Sequence, residues 1–408
     1  MRQAVILCGG RGERLRPLTD DRPKALVRVG ERPFLDHLLD QLWREGCAGV
    51  VLLSGYRSDQ IVGHVGTEWK GMRVDHCVGP AEWSTGRRIL EARDVLIDDF
   101  LLLYSDNYAH LDWSLLDEIR HRRGSVVTLS VHPKSPGNVR LSADAEVTYS
   151  VRRQAADFNH VEVGYMLCSK TELIAALLAD PECDDALPIA LQSLSERGAM
   201  SAVEIRGGYL SISTPERREH AERVLVPKKI LLVDRDGTIN ERAPRGMYVT
   251  SVDGFAWRDD ARQAVRELAS RGFSFVVVTN QAGVATGDVT ADVLGRIHDR
   301  MALDFAGLGA NLLGVMCNTE HWSTTSHMRK PGPGMILQAA ETWEFLPERV
   351  MYVGDDVRDA QTARNAGSVG VLIGEHEGQQ IPRGTLQVAS FTDAVGVIRR
   401  RYDEVSTW

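Results

Sequence analysis

The sequence lacks any stretch apolar enough for a membrane span, which needs about 20 consecutive apolar residues. It also lacks long blocks of one charge: 48 basic and 56 acidic residues give a formal net charge of −8. This balance argues against a general nucleic-acid surface but not against the binding of a single nucleotide. A strand pattern begins within a few residues of Met1, so we expect no signal peptide. These absences predict a cytoplasmic protein without membrane or nucleic-acid partners.

The cysteines are few and scattered, and no two of them form a Cys-x-x-Cys pair. This spacing predicts reduced thiols, as in a cytoplasm, rather than a disulfide framework. The six cysteines are Cys8, Cys47, Cys77, Cys168, Cys183 and Cys317.

The length of 408 residues exceeds what one ordinary core holds, so two domains are expected. Pro227 and the charged pair Lys228-Lys229 precede a fresh strand pattern and place a boundary at about 227. The expected domains are 1–226 and 228–408. Both show alternating strand and helix patterns, which predict the α/β class with doubly wound sheets. A homo-oligomer is compatible with this organisation.

Two aspartates follow an apolar run of strand length, Ile230–Val233. Asp234 and Asp236 are two residues apart, so in an extended chain their carboxylates share one face. Such a pair suits Mg²⁺ through oxygen ligands. One carboxylate can also attack phosphorus while the other works as acid and base. For the pair alone, an Asp-rich turn is an equally good interpretation.

Three later segments favour the chemical interpretation. The apolar run that ends at Val278 leads into Thr279 and Asn280, whose hydroxyl and amide suit phosphate oxygens. Lys330 stands before a proline-rich turn, where it can offset negative charge. The run that ends at Val353 leads into Asp355 and Asp359. Ligands of parallel sheets bind at the carboxyl ends of strands, so these residues are expected to meet at one site.

The N-terminal half begins with a strand pattern, Ala4–Leu7, that runs into a loop with Gly9, Gly10 and Gly12. Glycines let backbone N–H groups approach a phosphate, and the arginines of the loop add charge-assisted bonds. Alone, such a loop is also compatible with a tight turn. Asp106 follows a further apolar strand pattern, Phe100–Tyr104, and is interpreted as a metal ligand, with a helix N-cap as the alternative.

The motifs of the C-terminal half resemble the haloacid dehalogenase superfamily, and more closely its D-glycero-D-manno-heptose 1,7-bisphosphate phosphatases. The resemblance implies that Asp234 is the nucleophile and Asp236 the acid and base. Thr279 and Lys330 would hold the phosphoryl group, with Asn280 as a substrate contact. Mg²⁺ would be bound by Asp234, Asp355 and the backbone carbonyl of Asp236, with Asp359 nearby.

The C-terminal half departs from this phosphatase family in two places. The family usually carries a zinc loop, but here only Cys317, His321 and His327 remain and their spacing does not fit a tetrahedral site, so we expect no structural zinc. Thr286 stands where the family often has a basic residue. Arg329 is present and is expected to contact the distal phosphate of the sugar.

The run from Gly9 to Thr19, followed by Pro23-Lys24, resembles the signature of sugar-1-phosphate nucleotidyltransferases. The resemblance implies a Rossmann-like mixed sheet and Mg²⁺ on Asp106. Arg14 and Lys24 would act on the transferring phosphates, and Glu162 and Gly164 would contact the sugar. The implied nucleotide contacts are Leu7, Gly9, Gly10, Gly12, Arg14, Lys24, Thr85 and Gly86.

This first half also departs from its family. Arg87 lies where the backbone normally approaches the base, and Ser211 replaces a second metal aspartate. Arg152 and Arg153 are candidates for the cation that holds the sugar phosphate.

Together the resemblances imply a bifunctional Mg²⁺-dependent enzyme of nucleotide-heptose synthesis. It would remove one phosphate from a sugar bisphosphate and couple the sugar 1-phosphate to a nucleoside triphosphate, GTP or ATP. Two alternatives stay open at this point: an active phosphatase with an inactive nucleotide- or sugar-binding module, and a histidinol-phosphate phosphatase.

Overall fold

The computed structural model describes residues 2–154, 157–179, 186–244 and 246–406. The chain divides into two compact units, Met1–Glu222 and Arg223–Trp408, called the first and the second unit below. The second unit begins a few residues before the boundary predicted at about 227, because it includes the end of the helix Pro215–Leu225. Arg223 forms an ion pair with Glu344, and Arg349 donates a hydrogen bond to the carbonyl of Leu225.

The first unit is built on a ten-stranded sheet whose main path runs β11-β10-β12-β7-β1-β4-β6-β5, with β9 joining β12 to β13. Strands β1, β4, β6 and β7 pair in parallel, whereas β12 is antiparallel to β7, so the sheet is mixed. Two further pairs, β2-β3 and β8-β14, lie outside it. The strands are β1 Gln3–Cys8, β2 Arg28–Val29, β3 Arg32–Pro33, β4 Gly49–Ser54, β5 Glu68–Trp69, β6 Met72–Val78, β7 Asp99–Tyr104, β8 Asn107–Ala109, β9 Val127–Pro133, β10 Gly137–Leu141, β11 Val147–Gln154, β12 His160–Ser169, β13 Met200–Glu204 and β14 Tyr209–Ser211.

Several helices of the first unit pack on this sheet: Trp113–Arg123 contacts β9, Lys170–Leu178 contacts β12 and Ala186–Glu196 contacts β11, and others are amphipathic. Helix Phe34–Arg44 shows the pattern best, because its apolar positions recur at helical spacing and are buried. The helices are α1 Phe34–Arg44, α2 Ser58–Val65, α3 Thr85–Glu91, α4 Trp113–Arg123, α5 Lys170–Leu178, α6 Ala186–Glu196 and α7 Pro215–Leu225, with short 3-10 helices at Glu13–Leu15, Lys24–Leu26 and Arg93–Val95.

The second unit is built on a six-stranded parallel sheet in the order β17-β16-β15-β18-β19-β20. Its strands are β15 Ile230–Val233, β16 Ser274–Asn280, β17 Asn311–Asn318, β18 Met351–Gly354, β19 Val369–Ile373 and β20 Leu386–Val388. Its helices are α8 Asp259–Ser270, α9 Gly283–Thr286, α10 Ala291–Gly307, α11 Gly334–Trp343, α12 Val357–Ala366 and α13 Phe391–Ser406, with a 3-10 helix at Pro347–Arg349. The predicted α/β class, with one mixed and one parallel sheet, is confirmed.

Strand order decides where the polar side chains of the second unit meet. Strand β15 is buried along its whole length, as its continuous apolar sequence predicts for a central parallel strand. Its neighbours are β16 and β18. The carboxyl ends of these three strands therefore share one edge of the sheet, and Asp234, Thr279 and Asp355 lie at or just past that edge.

The described part of the chain contains no helix that is both long and apolar enough to cross a membrane. Cys8, Cys47, Cys77, Cys168 and Cys317 are free thiols. Cys183 lies outside the described residues.

Candidate active sites

Three carboxylates of the second unit converge on one small volume. Asp234 follows β15, Asp355 follows β18, and Asp359 lies in the first turn of α12. One oxygen of each lies within 4.8 Å of the others, and no other such group of three was found among the described residues. This set of hard oxygen donors, close together and largely buried, fits a divalent cation such as Mg²⁺.

Lys330 lies between two of these carboxylates. Its Nζ is 2.7 Å from Asp234 Oδ1 and 2.7 Å from Asp359 Oδ1, and it also donates to the Tyr352 hydroxyl at 3.0 Å. The residue is only 7% exposed. A buried ammonium held by two carboxylates has a fixed position, so it can offset charge at a defined point of the site.

Burial and mutual repulsion perturb the acids of this cluster. Burial, with the nearby charge of Asp359, raises the pKa of Asp234. Burial likewise raises the pKa of Asp355 to about 6, although Arg242, whose Nη2 lies 2.9 Å from Asp355 Oδ2, opposes the shift. Burial disfavours the Lys330 cation, but Asp234 and Asp359 outweigh it and raise the pKa of the lysine. The site thus has excess negative charge that a cation would relieve.

Gly237 lets the backbone lie close to Asp355, one of the candidate metal ligands. Its φ of +92° is a left-handed conformation, and a Cβ there would lie 2.0 Å from Asp355 Oδ2. Only glycine adopts this φ readily and has no Cβ to clash with Asp355, so the turn after Asp236 depends on it.

The side chain of Asp236 lies outside the three-carboxylate group. Its oxygens accept hydrogen bonds from Arg235 Nη2 at 2.8 Å, from Asn240 Nδ2 at 2.9 Å and from Gln281 Nε2 at 2.7 Å. Burial opposes ionisation of this carboxyl, but Arg235 and the hydrogen bonds outweigh it and lower its pKa. The sequence pattern did not single out Arg235, Asn240 or Gln281.

A cavity of about 1150 Å³ opens in front of these groups. It is lined by Asp234, Asp236, Thr279, Asn280, Arg329 and Lys330, among others. The Asn280 amide bonds the backbone of Lys330, donating to its carbonyl at 3.3 Å and accepting from its N–H at 3.2 Å. Asn280 therefore orients the segment of Lys330 in addition to lining the cavity.

The residues that remain of the zinc loop of the family make ordinary contacts. Cys317 lies in β17 opposite Thr279, and burial raises its pKa to about 11. His321 Nδ1 contacts the hydroxyl of Ser323 at 2.7 Å, and His327 accepts the N–H of Gly334 through its backbone carbonyl. Thr286 lies at the end of α9 and donates to the carbonyl of Ala282.

A second cavity, of about 650 Å³, lies in the first unit, beyond the carboxyl ends of β1 and β7. It is lined by Leu7, Gly9, Gly10, Gly12, Arg14, Lys24, Thr85 and Asp106, together with Trp83, Arg88, Ser213 and others. Lys24 Nζ lies 2.5 Å from Asp106 Oδ2. Gly86 is buried inside α3 and is not among the lining residues.

Arg87, which stands where the backbone normally approaches the base, is exposed in the structure. It pairs with Glu91 at 2.5 Å, and its guanidinium lies over the ring of Trp83 at 5.8 Å. The next residue, Arg88, is the buried one and lines the cavity. The reason is helix phase: successive residues of α3 are turned by about 100°, so only one of the two arginines faces inward.

The candidate sugar contacts lie on β12. Burial raises the pKa of Glu162 to about 7, with Asp106 nearby, and Glu162 Oε1 is buried without a hydrogen-bond partner. Gly164 has a φ of +86° and packs against Tyr104. Arg152 is exposed, and the side chain of Arg153 lies outside the described part of the structure.

Ser211, at the place of the second metal aspartate, is buried and donates to the hydroxyl of Ser213 at 3.1 Å. Asp106 is therefore without the carboxylate partner that the family pattern supplies. Among the described residues that line this cavity, the carboxylates are those of Asp106, which pairs with Lys24, and Glu13.

Comparison with known proteins assigns the second unit. Residues 171–367 match the family model for haloacid dehalogenase-like hydrolases. The D-glycero-beta-D-manno-heptose-1,7-bisphosphate 7-phosphatase of Yersinia pestis is 35% identical over 150 residues, which cover 35% of this chain and 78% of that protein. The chain belongs to the haloacid dehalogenase-like hydrolases. The hydrolase match starts at residue 171, but in the structure the part of 171–222 that is described folds with the first unit.

The first unit has its own relatives, and it is a nucleotidyltransferase domain. Residues 3–135 match the nucleotidyl transferase family model. The UTP–glucose-1-phosphate uridylyltransferase of Haloferax volcanii is 28% identical over 238 residues, which cover 55% of this chain and 96% of that protein. The chain is thus an enzyme in which a phosphatase domain follows a nucleotidyltransferase domain.

Among solved structures, the D,D-heptose 1,7-bisphosphate phosphatase of B. bronchiseptica, complexed with magnesium and phosphate, is similar to part of this chain. It is 27% identical, the match covers 42% of this chain and 98% of that chain, and the TM-score is 0.40.

Proposed function

We propose that this chain is a bifunctional enzyme of nucleotide-activated heptose synthesis. The second unit removes the 7-phosphate of D-glycero-D-manno-heptose 1,7-bisphosphate. The first unit joins the resulting sugar 1-phosphate to a nucleoside triphosphate and releases pyrophosphate. The observation that carries this proposal is the convergence of Asp234, Asp355 and Asp359, two of which contact Lys330, in front of a cavity large enough for a sugar phosphate.

The phosphatase reaction would run in two steps on the aspartates. In the first, an oxygen of Asp234 attacks phosphorus, the bond to the sugar oxygen breaks, and Asp236 gives that oxygen a proton. In the second, Asp236 takes a proton from water, which attacks the aspartyl-phosphate and frees Asp234 and phosphate. Mg²⁺, held by Asp234, Asp355 and the Asp236 carbonyl with support from Asp359, would neutralise charge on the phosphoryl oxygens.

The first step needs a proton on Asp236, whose present contacts favour the ionised form. An incoming phosphate dianion beside this carboxylate would raise its pKa, because like charges disfavour ionisation. Substrate binding therefore supplies the condition for the proton transfer. The same cavity offers Thr279 and Lys330 to the transferring phosphoryl group and Arg329 to the second phosphate.

The transferase reaction would use the smaller cavity. An oxygen of the sugar 1-phosphate attacks the α-phosphorus of the nucleotide, and the bond to pyrophosphate breaks. Arg14, Lys24 and the glycine loop would stabilise the charge that spreads over the phosphates, with Mg²⁺ on Asp106. Glu162 and Gly164 are the proposed sugar contacts.

The test uses the full chain with each unit as the control for the other. Wild type, Asp234→Asn and Lys24→Ala receive the heptose 1,7-bisphosphate, a nucleoside triphosphate and Mg²⁺. Asp234→Asn should release no phosphate from the bisphosphate but still form pyrophosphate when given heptose 1-phosphate. Lys24→Ala should release phosphate from the bisphosphate but form no pyrophosphate when given heptose 1-phosphate. Failure of the wild type to turn over either sugar would refute the assignment.

One observation favours a second candidate, in which only the phosphatase is active and the first unit is a binding module. Ser211 replaces a metal carboxylate, and Asp106 is paired with Lys24. This alternative predicts no pyrophosphate from any nucleotide while phosphate release persists. A histidinol-phosphate phosphatase would instead turn over that phosphoester in the same assay. The cytoplasmic location and the lack of structural zinc stay predictions from the sequence.

A further inference from the structure

Arg88 occupies an unusual position beneath the glycine loop of the first unit. It is 5% exposed, and its guanidinium donates to the carbonyls of Ser54 at 2.7 Å and Pro80 at 2.6 Å. A Cβ at Gly9 would lie 2.2 Å from Arg88 Cζ, and one at Gly55 only 2.4 Å from its Nη2. The backbones of two loops thus lie against the guanidinium, which is held in place from both sides.

The charge of Arg88 is not balanced by an acid. No carboxylate of a described residue forms an ion pair with it, and the nearby Glu82 is exposed and pairs with Arg11 at 2.8 Å. The two carbonyls use two of the five N–H donors of the guanidinium. A buried cation with spare donors is costly unless something supplies acceptors. Because Arg88 lines the cavity, a ligand can supply them.

The glycine loop shows which part of a nucleotide would meet Arg88. The loop has Arg88 against Gly9 at one end and Lys24 against Gly12 at the other. Lys24 contacts Asp106, so the triphosphate and its metal ion belong at the Gly12 end. The base then belongs at the Gly9 end, where Trp83 and Thr85 also line the cavity.

We propose that Arg88 selects guanine by donating to its O6 and N7. This inference rests on the proposed transferase function and names its nucleotide. Guanine presents two adjacent acceptors on that edge, which match two parallel N–H donors of a guanidinium. Adenine presents a 6-amino donor beside its N7 acceptor, so one donor of Arg88 would face another donor. The first unit would therefore take GTP in preference to ATP.

The test is calorimetric titration of the full chain, in Mg²⁺, with GTP, ATP and inorganic tripolyphosphate. Wild type should bind GTP roughly ten-fold or more tightly than ATP, the range that a good bidentate contact to a base provides. Arg88→Lys keeps the charge but loses the planar fork, so this preference should fall while tripolyphosphate binds as before. Arg93→Lys is the matched control, because Arg93 is exposed, pairs with Asp94 and is not among the lining residues, and it should behave as wild type.

Each other outcome overturns the inference in a recognisable way. Equal affinity of the wild type for GTP and ATP excludes base selection, even if Arg88→Lys does not fold. Equal weakening of GTP, ATP and tripolyphosphate in a folded Arg88→Lys makes Arg88 a phosphate contact or a support of the loop. Absence of any nucleotide binding to the wild type removes the transferase proposal itself, and with it this inference.

Discussion

Replacement of Lys330 by methionine tests whether the charges of the second unit are arranged as described. The side chains have similar length, so packing is largely kept, but the ammonium between Asp234 and Asp359 is lost. Two buried carboxylates then face each other without their cation. Breaking a buried ion pair by removing one partner costs about 3–5 kcal/mol of unfolding free energy. Protonation of Asp234, whose pKa is already raised, limits the loss, so the variant should be less stable at pH 8 than at pH 6 relative to wild type.

The assay is thermal and urea unfolding of the full chain in EDTA, with the transition of the second unit followed separately because two units need not unfold together. Lys228→Met is the matched control. The Lys228 ammonium donates to the carbonyls of Trp343 and Glu344, and no ion pair joins it to a fully buried carboxylate of the described residues, so its loss should cost about 1 kcal/mol. Added Mg²⁺ should stabilise Lys330→Met more than wild type. A loss no larger than that of Lys228→Met would refute the reasoning.

Three further predictions concern single side chains. Glu162→Gln should remove a pH dependence of the free energy of unfolding. Because the folded protein favours the protonated Glu162, wild type should lose up to about 3 kcal/mol of stability relative to the variant as pH rises from 4.5 to about 7. Unfolding at several pH values measures this difference. Arg242→Ala should tighten Mg²⁺ binding a few-fold in a calorimetric titration, because the arginine competes for Asp355 through a partly exposed ion pair. Ser211→Asp should lower the Mg²⁺ concentration needed for half-maximal pyrophosphate release, because it adds a carboxylate ligand; an unchanged requirement would contradict the role given to this position.

The meeting of Asp234, Thr279 and Asp355 follows from the sequence alone. Each comes at or just past the end of an apolar run, and adjacent parallel strands bring such ends to one edge. Lys330 was expected there from its motif, and the structure shows which carboxylates it contacts. Strand patterns therefore give the location of the candidate site well.

Side-chain orientation within the sites could not be predicted in the same way. Whether Asp236 faces the other acids or Arg235 depends on hydrogen bonds from Asn240 and Gln281, and Gln281 comes from another strand end. Arg87 and Arg88 differ only in helix phase, which the boundary of a short helix such as α3 decides. These details depend on three-dimensional contacts that no local pattern records.

The central claim is that Asp234 carries the phosphoryl group during turnover, and it can be tested by trapping that group. Wild type, Asp234→Asn and Asp236→Asn are quenched in acid during reaction with the heptose 1,7-bisphosphate and Mg²⁺. Borohydride then converts any acyl phosphate to a stable alcohol, and trypsin, which cleaves after Arg235, separates residue 234 from residue 236. We predict reduction at Asp234 in wild type, less in Asp236→Asn, because the first step needs the proton of Asp236, and none in Asp234→Asn. Phosphate release by Asp234→Asn at the wild-type rate, or a modified residue elsewhere, would contradict the account.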